Sequence, residues 1–181
     1  MFAHHSQGSA PFTIYEGVIN RAIAKRVEDD LQQRGVRFQR VYHDVTDTSL
    51  VARVVLADTI YAKDKTCIYL SIHSNAGGGS GVEIFTSPGQ TKSDKVANVF
   101  CERYQKHFPD AKFRQDIADG DADKEADFYV LRKTDCPSVL VENFFFDHRQ
   151  DAEFLMSEAG QKAIADCIVD AILTVEQLKP I

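Results

Sequence analysis

A histidine ends one of the most apolar segments of the chain. The segment from Cys67 to His73 has the length of a strand and is nearly all apolar, and four glycines follow it between Ser74 and Gly81. Such a run predicts a central strand that is covered on both faces, and open α/β sheets bind ligands beyond the carboxyl ends of their strands. A lone histidine at a strand end is more often a structural residue than a ligand. The role of His73 therefore depends on what lies beside it.

A glutamate interrupts a second apolar run. Glu142 lies within Val139 to Phe145, whose other inward positions are apolar. An unpaired carboxylate in such a setting costs several kcal/mol unless it is protonated or bound to a partner. The structural alternative is a glutamate that reaches solvent or pairs with a cation such as Arg132. Glu142 is the second candidate for chemistry.

A third candidate, Glu16, has a competing local explanation. Thr13-Ile-Tyr-Glu16 fits the capping box, in which a glutamate folds back onto the first amide of a helix. Taken alone, this segment favours the capping role. With His73 and Glu142, however, two carboxylates and a histidine on separate elements could form a catalytic zinc site, which uses three protein ligands and leaves one position for water.

The elements that must position these side chains alternate between helices and strands. Apolar residues at helical spacing predict a long first helix that ends before Gly35, and the later runs alternate between strand and helix lengths. The predicted helices are Thr13 to about Arg34, one from an N-cap at Thr48 or Ser49, Ser93 to Phe108, and two closing helices, the last from about Ala159 to Leu178. The predicted strands are Val36 to Tyr42, Cys67 to His73, Val82 to Thr86, Phe128 to Leu131 and Val139 to Phe145, with a long polar loop from Pro109 to Asp127.

This alternation predicts an α/β fold, a single-domain three-layer α/β/α sandwich with a largely parallel central sheet. The 181 residues are enough for one domain.

The net charge of -6 argues against a nucleic-acid partner, because such partners are bound mainly through Lys and Arg. No apolar stretch approaches the roughly 20 residues of a membrane-spanning helix, and Met1 to Pro11 contain no apolar signal core. We expect neither nucleic acid nor membrane as a partner.

The chain resembles the zinc-dependent N-acetylmuramoyl-L-alanine amidase family, the type 3 amidase domain that acts on peptidoglycan. Four segments carry the resemblance, which extends over nearly the whole chain: Tyr15-Glu16-Gly-Val-Ile-Asn-Arg21, Ser71-Ile-His73-Ser-Asn-Ala76, Phe128-Tyr-Val-Leu-Arg-Lys-Thr134 and Val139-Leu-Val-Glu142-Asn-Phe144. The resemblance implies that Glu16 and His73 bind Zn²⁺ and that Glu142 is the catalytic carboxylate. It also implies hydrolysis of the amide between N-acetylmuramic acid and L-alanine in peptidoglycan. The enzyme would act on the bacterial cell wall, in the periplasm or at the exterior, or would be made in the cytoplasm as a phage-type lysin.

The resemblance is incomplete at the amino terminus. Domains of this family begin with an apolar strand that ends in a His-Gly pair, whose histidine is the first zinc ligand, and we expect the present chain to lack that strand. His4 and His5 are the nearby histidines, but neither precedes a glycine. The resemblance therefore predicts that residues 1–181 form a catalytic domain that is amino-terminally incomplete, from an internal start or a truncated chain.

Two other functions remain open at this point. The first is a catalytically silent module that binds the cell wall with the same fold, because its first zinc ligand is missing. The second is a thiol hydrolase that uses Cys136, although no matched His and Asn motif accompanies this cysteine. A calcium loop at Asp119 to Glu125 is not predicted, because Lys124 stands where the turn requires glycine and Val130 where the bidentate glutamate belongs.

Overall fold

The structure is a computed structural model that describes residues 14–43, 46–117 and 120–178 of the chain. This part of the chain contains six helices of 5–20 residues and four strands of 2–8 residues. The helices are α1 (Glu16–Gln33), α2 (Leu50–Lys63), α3 (Lys92–His107), α4 (Tyr129–Lys133), α5 (Arg149–Met156) and α6 (Glu158–Gln177). The strands are β1 (Tyr69–Asn75), β2 (Val82–Thr86), β3 (Lys124–Glu125) and β4 (Ser138–Phe145).

The four strands form one mostly parallel sheet of order β1-β4-β2-β3. The pairs β1–β4 and β2–β3 are parallel, and β2–β4 is antiparallel. Because successive side chains of a strand point to opposite faces, the central strands bury apolar residues on both sides. Val139, Val141 and Ile84 pack in the larger core cluster with residues of α1, α3 and α6. Leu140 and Phe85 pack in a smaller cluster with residues of α2 and α4. The predicted α/β/α sandwich is confirmed.

Several predicted boundaries agree closely with the structure. Strand β2 has the predicted bounds, and Ser49 caps α2 by accepting a hydrogen bond from the amide of Ala52 at 3.2 Å. Helices α3 and α6 each begin one residue before the predicted start. The predicted absence of the usual first strand concerns residues 1–13, which lie outside the described residues.

The predicted strand at residues 36–42 is wrong. This segment belongs to no strand and bends at residues 41 and 42, and no described strand pairs with it. It is attached to α1 by side chains instead, since Arg40 Nε donates to both carboxylate oxygens of Glu28 at 2.8 Å and Tyr42 Oη donates to Glu28 Oε1 at 3.0 Å. Alternating polarity alone therefore did not identify a strand, because a strand also requires a backbone partner.

The predicted strand at residues 128–131 is also wrong, because α4 occupies this position. The amide of Arg132 donates to the carbonyl of Phe128 at 3.0 Å, which is a helical hydrogen bond. Val130 and Leu131, the buried residues of this helix, belong to the smaller core cluster. A short apolar run fits a strand or a single helical turn equally well by periodicity.

No helix in the described part of the chain is long and apolar enough to cross a membrane.

Candidate active site

His73 and Glu142 are direct neighbours at one end of the sheet. They are register partners in the parallel pair of β1 and β4, and register partners in a sheet project from the same face. His73 lies two residues before the carboxyl end of β1 and Glu142 three residues before that of β4. The sequence predicted this arrangement from two separate apolar runs, and the structure brings the two residues together.

Glu16 reaches the same point from the first residue of α1. Its Oε1 lies 2.9 Å from His73 Nδ1, and Asn20 Nδ2 donates to the same oxygen at 2.9 Å. The hydroxyl of Ser74 donates to Asn20 Oδ1 at 2.9 Å, so the residue after His73 holds the asparagine in place. The three sequence-predicted site residues, Glu16, His73 and Glu142, therefore converge.

The capping role that Thr13-Ile-Tyr-Glu16 suggested is not adopted. The N-cap of α1 is Tyr15, which has no side-chain capping hydrogen bond, so Glu16 is the first residue of the helix rather than the third. Thr13 lies outside the described residues. A carboxylate in the first turn is still stabilised by the helix dipole, and that position leaves the Glu16 carboxylate directed to His73.

Burial and charge shift the pKa values of all three side chains. Burial opposes ionisation of Glu16, but the hydrogen bonds and charge of His73, with Asn20, outweigh it and lower the pKa of Glu16. Burial likewise opposes protonation of His73, yet the hydrogen bond with Glu16 and the charges of Glu142 and Glu16 raise its pKa. Both shifts favour the charged forms, so in the absence of metal Glu16 and His73 form an ion pair whenever His73 is protonated.

Glu142 has the opposite environment. Burial raises the pKa of its carboxyl to about 7, and the negative charges of Glu16 and Glu83 add to this effect, while His73 partly offsets it. One carboxylate oxygen, Oε2, is buried and has no hydrogen-bond partner within the described residues. A carboxyl group that exchanges its proton near neutral pH is suited to general acid-base catalysis.

A buried hydrogen-bond chain holds the backbone around this site. The hydroxyl of Tyr104 donates to Asn143 Oδ1 at 2.6 Å, and Asn143 Nδ2 donates to the carbonyl of His73 at 3.0 Å. The next residue, Phe144, has a φ of 59° where the register of β1 and β4 shifts. A non-glycine residue with positive φ is strained and persists only where its surroundings enforce it. This distortion lies two residues after Glu142, near the end of β4.

Two aspartates after β4 hold the glycine-rich loop at the end of β1. The amides of Gly77 and Gly78 donate to Asp147 Oδ2 at 2.7 and 2.8 Å, and that of Gly81 donates to Asp151 Oδ2 at 2.8 Å. Gly81 has a φ of 91°, and a Cβ at this position would lie 1.9 Å from the carbonyl oxygen of Lys112. The loop therefore needs glycine at position 81, where it passes close to the backbone of Lys112.

The donor atoms of Glu16 and His73 suit a shared zinc ion. Zinc takes imidazole nitrogen and carboxylate oxygen at about 2.0–2.2 Å, which places two tetrahedral ligand atoms about 3.3 Å apart. The observed 2.9 Å between Oε1 and Nδ1 is close to that separation. Within residues 14–43, 46–117 and 120–178, no group of three His, Cys, Asp or Glu could hold a metal. The described residues thus fit two ligands of such an ion, and His4 and His5 lie outside them.

A cavity of about 290 Å³ opens beside the paired donors. Glu16 and His73 line it, together with residues of β1 and of the segment that precedes α2. Tyr15 and Arg53 supply an aromatic ring and a cation to its wall. The cavity gives a bulky ligand access to the site.

Sequence reasoning missed Glu83, which lies on the other side of Glu142. The two are register partners in the antiparallel pair of β2 and β4, and the Glu83 side chain is only 5% exposed. The signal that identified Glu142, a carboxylate inside an apolar run, is also present in Val82-Glu83-Ile84-Phe85. Its partners, Arg114 and Lys124, are distant in sequence and could not have been assigned from spacing.

Cys136 does not have the environment of a nucleophile. The side chain is buried in the smaller core cluster, and burial, reinforced by Cys67 and Asp58, raises its pKa to about 12. Reactive cysteines have lowered pKa values, because the thiolate is the nucleophile. The structure therefore gives no support to the thiol-hydrolase alternative.

Comparisons with known proteins identify the family of this chain. The family described as N-acetylmuramoyl-L-alanine amidase matches residues 3–174. The N-acetylmuramoyl-L-alanine amidase CwlM of Bacillus licheniformis is 39% identical over 98 residues, which are 54% of this chain and 36% of that protein. The endolysin of Bacillus phage SPP1 is 29% identical over 182 residues, which are 95% of this chain and 62% of the endolysin. The chain thus spans less than two thirds of either relative.

A solved structure shows the same fold over almost the whole chain. The crystal structure of an N-acetylmuramoyl-L-alanine amidase from Clostridium difficile 630 matches with a TM-score of 0.82 at 24% identity, covering 98% of this chain and 94% of that one. The match to the family is the stronger argument, because it extends over nearly the whole chain, from residue 3 to residue 174. This chain belongs to the N-acetylmuramoyl-L-alanine amidase family.

Proposed function

We propose that this chain hydrolyses the amide between N-acetylmuramic acid and L-alanine in peptidoglycan, with Zn²⁺ bound by Glu16 and His73 and with Glu142 as the catalytic carboxylate. The observation that carries the proposal is the convergence of these side chains at one end of β1 and β4, where Glu16 Oε1 and His73 Nδ1 lie 2.9 Å apart and Glu142 is the neighbour of His73 in register. The substrate is peptidoglycan, and the place of action is the bacterial cell wall.

The proposed metal ligands are held before any ion binds. Asn20 and Ser74 fix the carboxylate of Glu16, and the amide of Asn143 binds the backbone of His73. Ligands that are preorganised by neighbouring hydrogen bonds bind a metal more tightly and in a defined geometry. A zinc ion in such a site supplies a Lewis acid that polarises the scissile carbonyl and lowers the pKa of water.

Glu142 supplies the proton transfers that amide hydrolysis requires. Its carboxylate accepts a proton from the attacking water and then donates it to the departing amide nitrogen, which is a poor leaving group unless protonated. The pKa of about 7 supports both halves of this exchange, because the ionised and protonated forms are of similar abundance at neutral pH.

One observation favours the second function, a wall-binding module without catalysis. The described residues provide two metal donors, Glu16 and His73, and a catalytic zinc site uses three. His4 and His5, which precede Glu16 in the sequence, are candidates for the third donor. A silent module would bind peptidoglycan while holding zinc weakly.

Product analysis of digested cell walls distinguishes these functions. Purified peptidoglycan is incubated with the protein and Zn²⁺, and new amino termini and new reducing ends are both measured. The proposal predicts new L-alanine amino termini without new reducing ends, and their loss when a chelator is added. Binding to peptidoglycan without any new termini would favour the silent module, and new reducing ends would assign the cleavage to the glycan strand.

A further inference from the structure

Two cations share one buried carboxylate beside Glu142. Arg114 Nε donates to Glu83 Oε1 at 3.0 Å, and Lys124 Nζ donates to the same oxygen at 2.7 Å. The cationic groups are therefore less than about 6 Å apart, the sum of these two distances. The other oxygen of Glu83 accepts a hydrogen bond from Asn75. A single buried acid thus holds an arginine and a lysine together.

The cluster carries more positive charge than Glu83 neutralises. Glu83 contributes one negative charge and the two cations contribute two positive charges. The side chains of Arg114 and Lys124 remain 33% and 32% exposed, whereas Glu83 is 5% exposed. Arg114 also lies over the ring of Phe145 at 5.4 Å, and Lys124 over that of Phe85 at 5.2 Å. The cations are fixed in direction by buried groups and present their remaining surface to solvent.

The position of the cluster relates it to the proposed reaction. His73, Glu142 and Glu83 follow one another across β1, β4 and β2 on the same face of the sheet. Neighbouring strands are about 4.8 Å apart, so Glu83 lies about 10 Å from His73 along this row. An extended peptide covers about 3.3–3.6 Å per residue. A stem that starts at the scissile amide would therefore reach the cations with its second or third residue.

Charge decides which part of peptidoglycan could bind there. The sugars next to the scissile amide are neutral, whereas the peptide stem carries carboxylates on its second and third residues. Arginine and lysine bind carboxylates through charge-assisted hydrogen bonds. We propose that Arg114 and Lys124 form a subsite for a carboxylate of the peptide stem, which directs the peptide towards β2 and β3. This inference rests on the proposed function.

The first experiment changes the substrate and leaves the protein unaltered. N-acetylmuramoyl-L-alanyl-γ-D-glutamyl-L-lysine with free carboxylates is compared with the same compound carrying carboxamides in their place. Hydrolysis of the free acid should have a kcat/KM about tenfold higher, mainly through KM, since a charge-assisted contact at a partly exposed site is modest. Equal kcat/KM values for both compounds would overturn the subsite while leaving the proposed amidase activity intact.

Calorimetric binding of the stem tripeptide separates the subsite from catalysis. The free tripeptide acid should bind wild-type protein about tenfold more tightly than its amide, even if neither muramoyl compound is hydrolysed. Absence of hydrolysis would then count against the proposed function alone. Equal affinities of acid and amide would overturn the subsite.

Variants test which residues cause the preference. Arg114→Gln and Lys124→Gln should each reduce the acid-over-amide preference to about threefold or less. Each leaves one cation on Glu83, so the buried carboxylate stays paired. Arg37→Gln removes the same charge from a side chain that is 90% exposed and should retain the tenfold preference. A full preference in both cluster variants would show that the pair only neutralises Glu83.

Discussion

Replacing Glu142 with glutamine should decrease activity while increasing the stability of the metal-free protein. Glu142→Gln retains the shape of the side chain and removes the group that exchanges a proton. General acid-base catalysis contributes about 10²- to 10⁴-fold. Because Glu142 is proposed both to accept and to donate the proton, kcat should fall by about 10⁴-fold or more.

The effect on stability follows from the raised pKa. The carboxyl of Glu142 has a pKa of about 7 in the folded protein against an ordinary value of 4.5. Its ionisation therefore destabilises the fold as the pH rises from 4.5 through 7, by up to about 3 kcal/mol in total. Glutamine does not ionise, so at pH 8 the metal-free variant should have the larger free energy of unfolding. Below pH 4.5 this difference should disappear.

Three measurements on one pair of proteins test this reasoning. The release of L-alanine amino termini gives activity, elemental analysis gives zinc content, and urea unfolding at pH 4 and pH 8 gives stability. Glu102→Gln is the matched control, because its side chain is 68% exposed, and it should change none of the three. A Glu142→Gln protein with unchanged zinc content and near-normal turnover would show that another residue moves the proton.

Three further predictions concern other parts of the site. The pKa of His73 is raised above 6.5 and that of Glu16 is lowered below 4.5, so the stability that His73 contributes is lost as pH rises and the stability that Glu16 contributes is lost as pH falls. The Tm difference between metal-free wild type and His73→Ala should therefore be largest between about pH 4.5 and 6.5. A difference that peaks above pH 8 would contradict the ion pair. Because the pKa of Cys136 is raised to about 12, mass spectrometry should detect little alkylation of this thiol by iodoacetamide at pH 7. Rapid inactivation together with labelling of Cys136 would restore the thiol-hydrolase alternative. In urea unfolding, Gly81→Ala should lower the free energy of unfolding by at least about 3 kcal/mol and Gly89→Ala by about 1 kcal/mol. Both glycines have nearly the same φ (91° and 90°), but only a Cβ added at Gly81 would meet a carbonyl oxygen, at 1.9 Å. Equal losses in the two variants would refute the close approach at Gly81.

The layers of the fold could be predicted because burial leaves a strong pattern in the sequence. Strand β2 and the buried part of β4 are runs of apolar residues, and α3 and α6 repeat their buried residues at helical spacing. The two wrong strands, residues 36–42 and 128–131, failed for different reasons. The first would need a partner strand, and the second is too short for periodicity to distinguish a helical turn from a strand.

The site was predictable where a polar residue interrupts an apolar run. His73 and Glu142 stand out in this way, and Glu83 would have stood out by the same criterion. Glu16 was assigned only through the family resemblance, because its local pattern favoured a helix cap. The contacts of Asn143 with Tyr104 and His73 depend on long-range packing. Such contacts leave no pattern in neighbouring residues.

The metal requirement of L-alanine release tests the central proposal most directly. The protein is stripped with a chelator, dialysed, and titrated with Zn²⁺ while bound zinc and new L-alanine amino termini are measured in parallel. The account predicts that activity is absent from the stripped protein, returns as about one zinc per chain is bound, and is lost together with zinc in His73→Ala. Full release of L-alanine by a stripped protein that contains no detectable metal would contradict it.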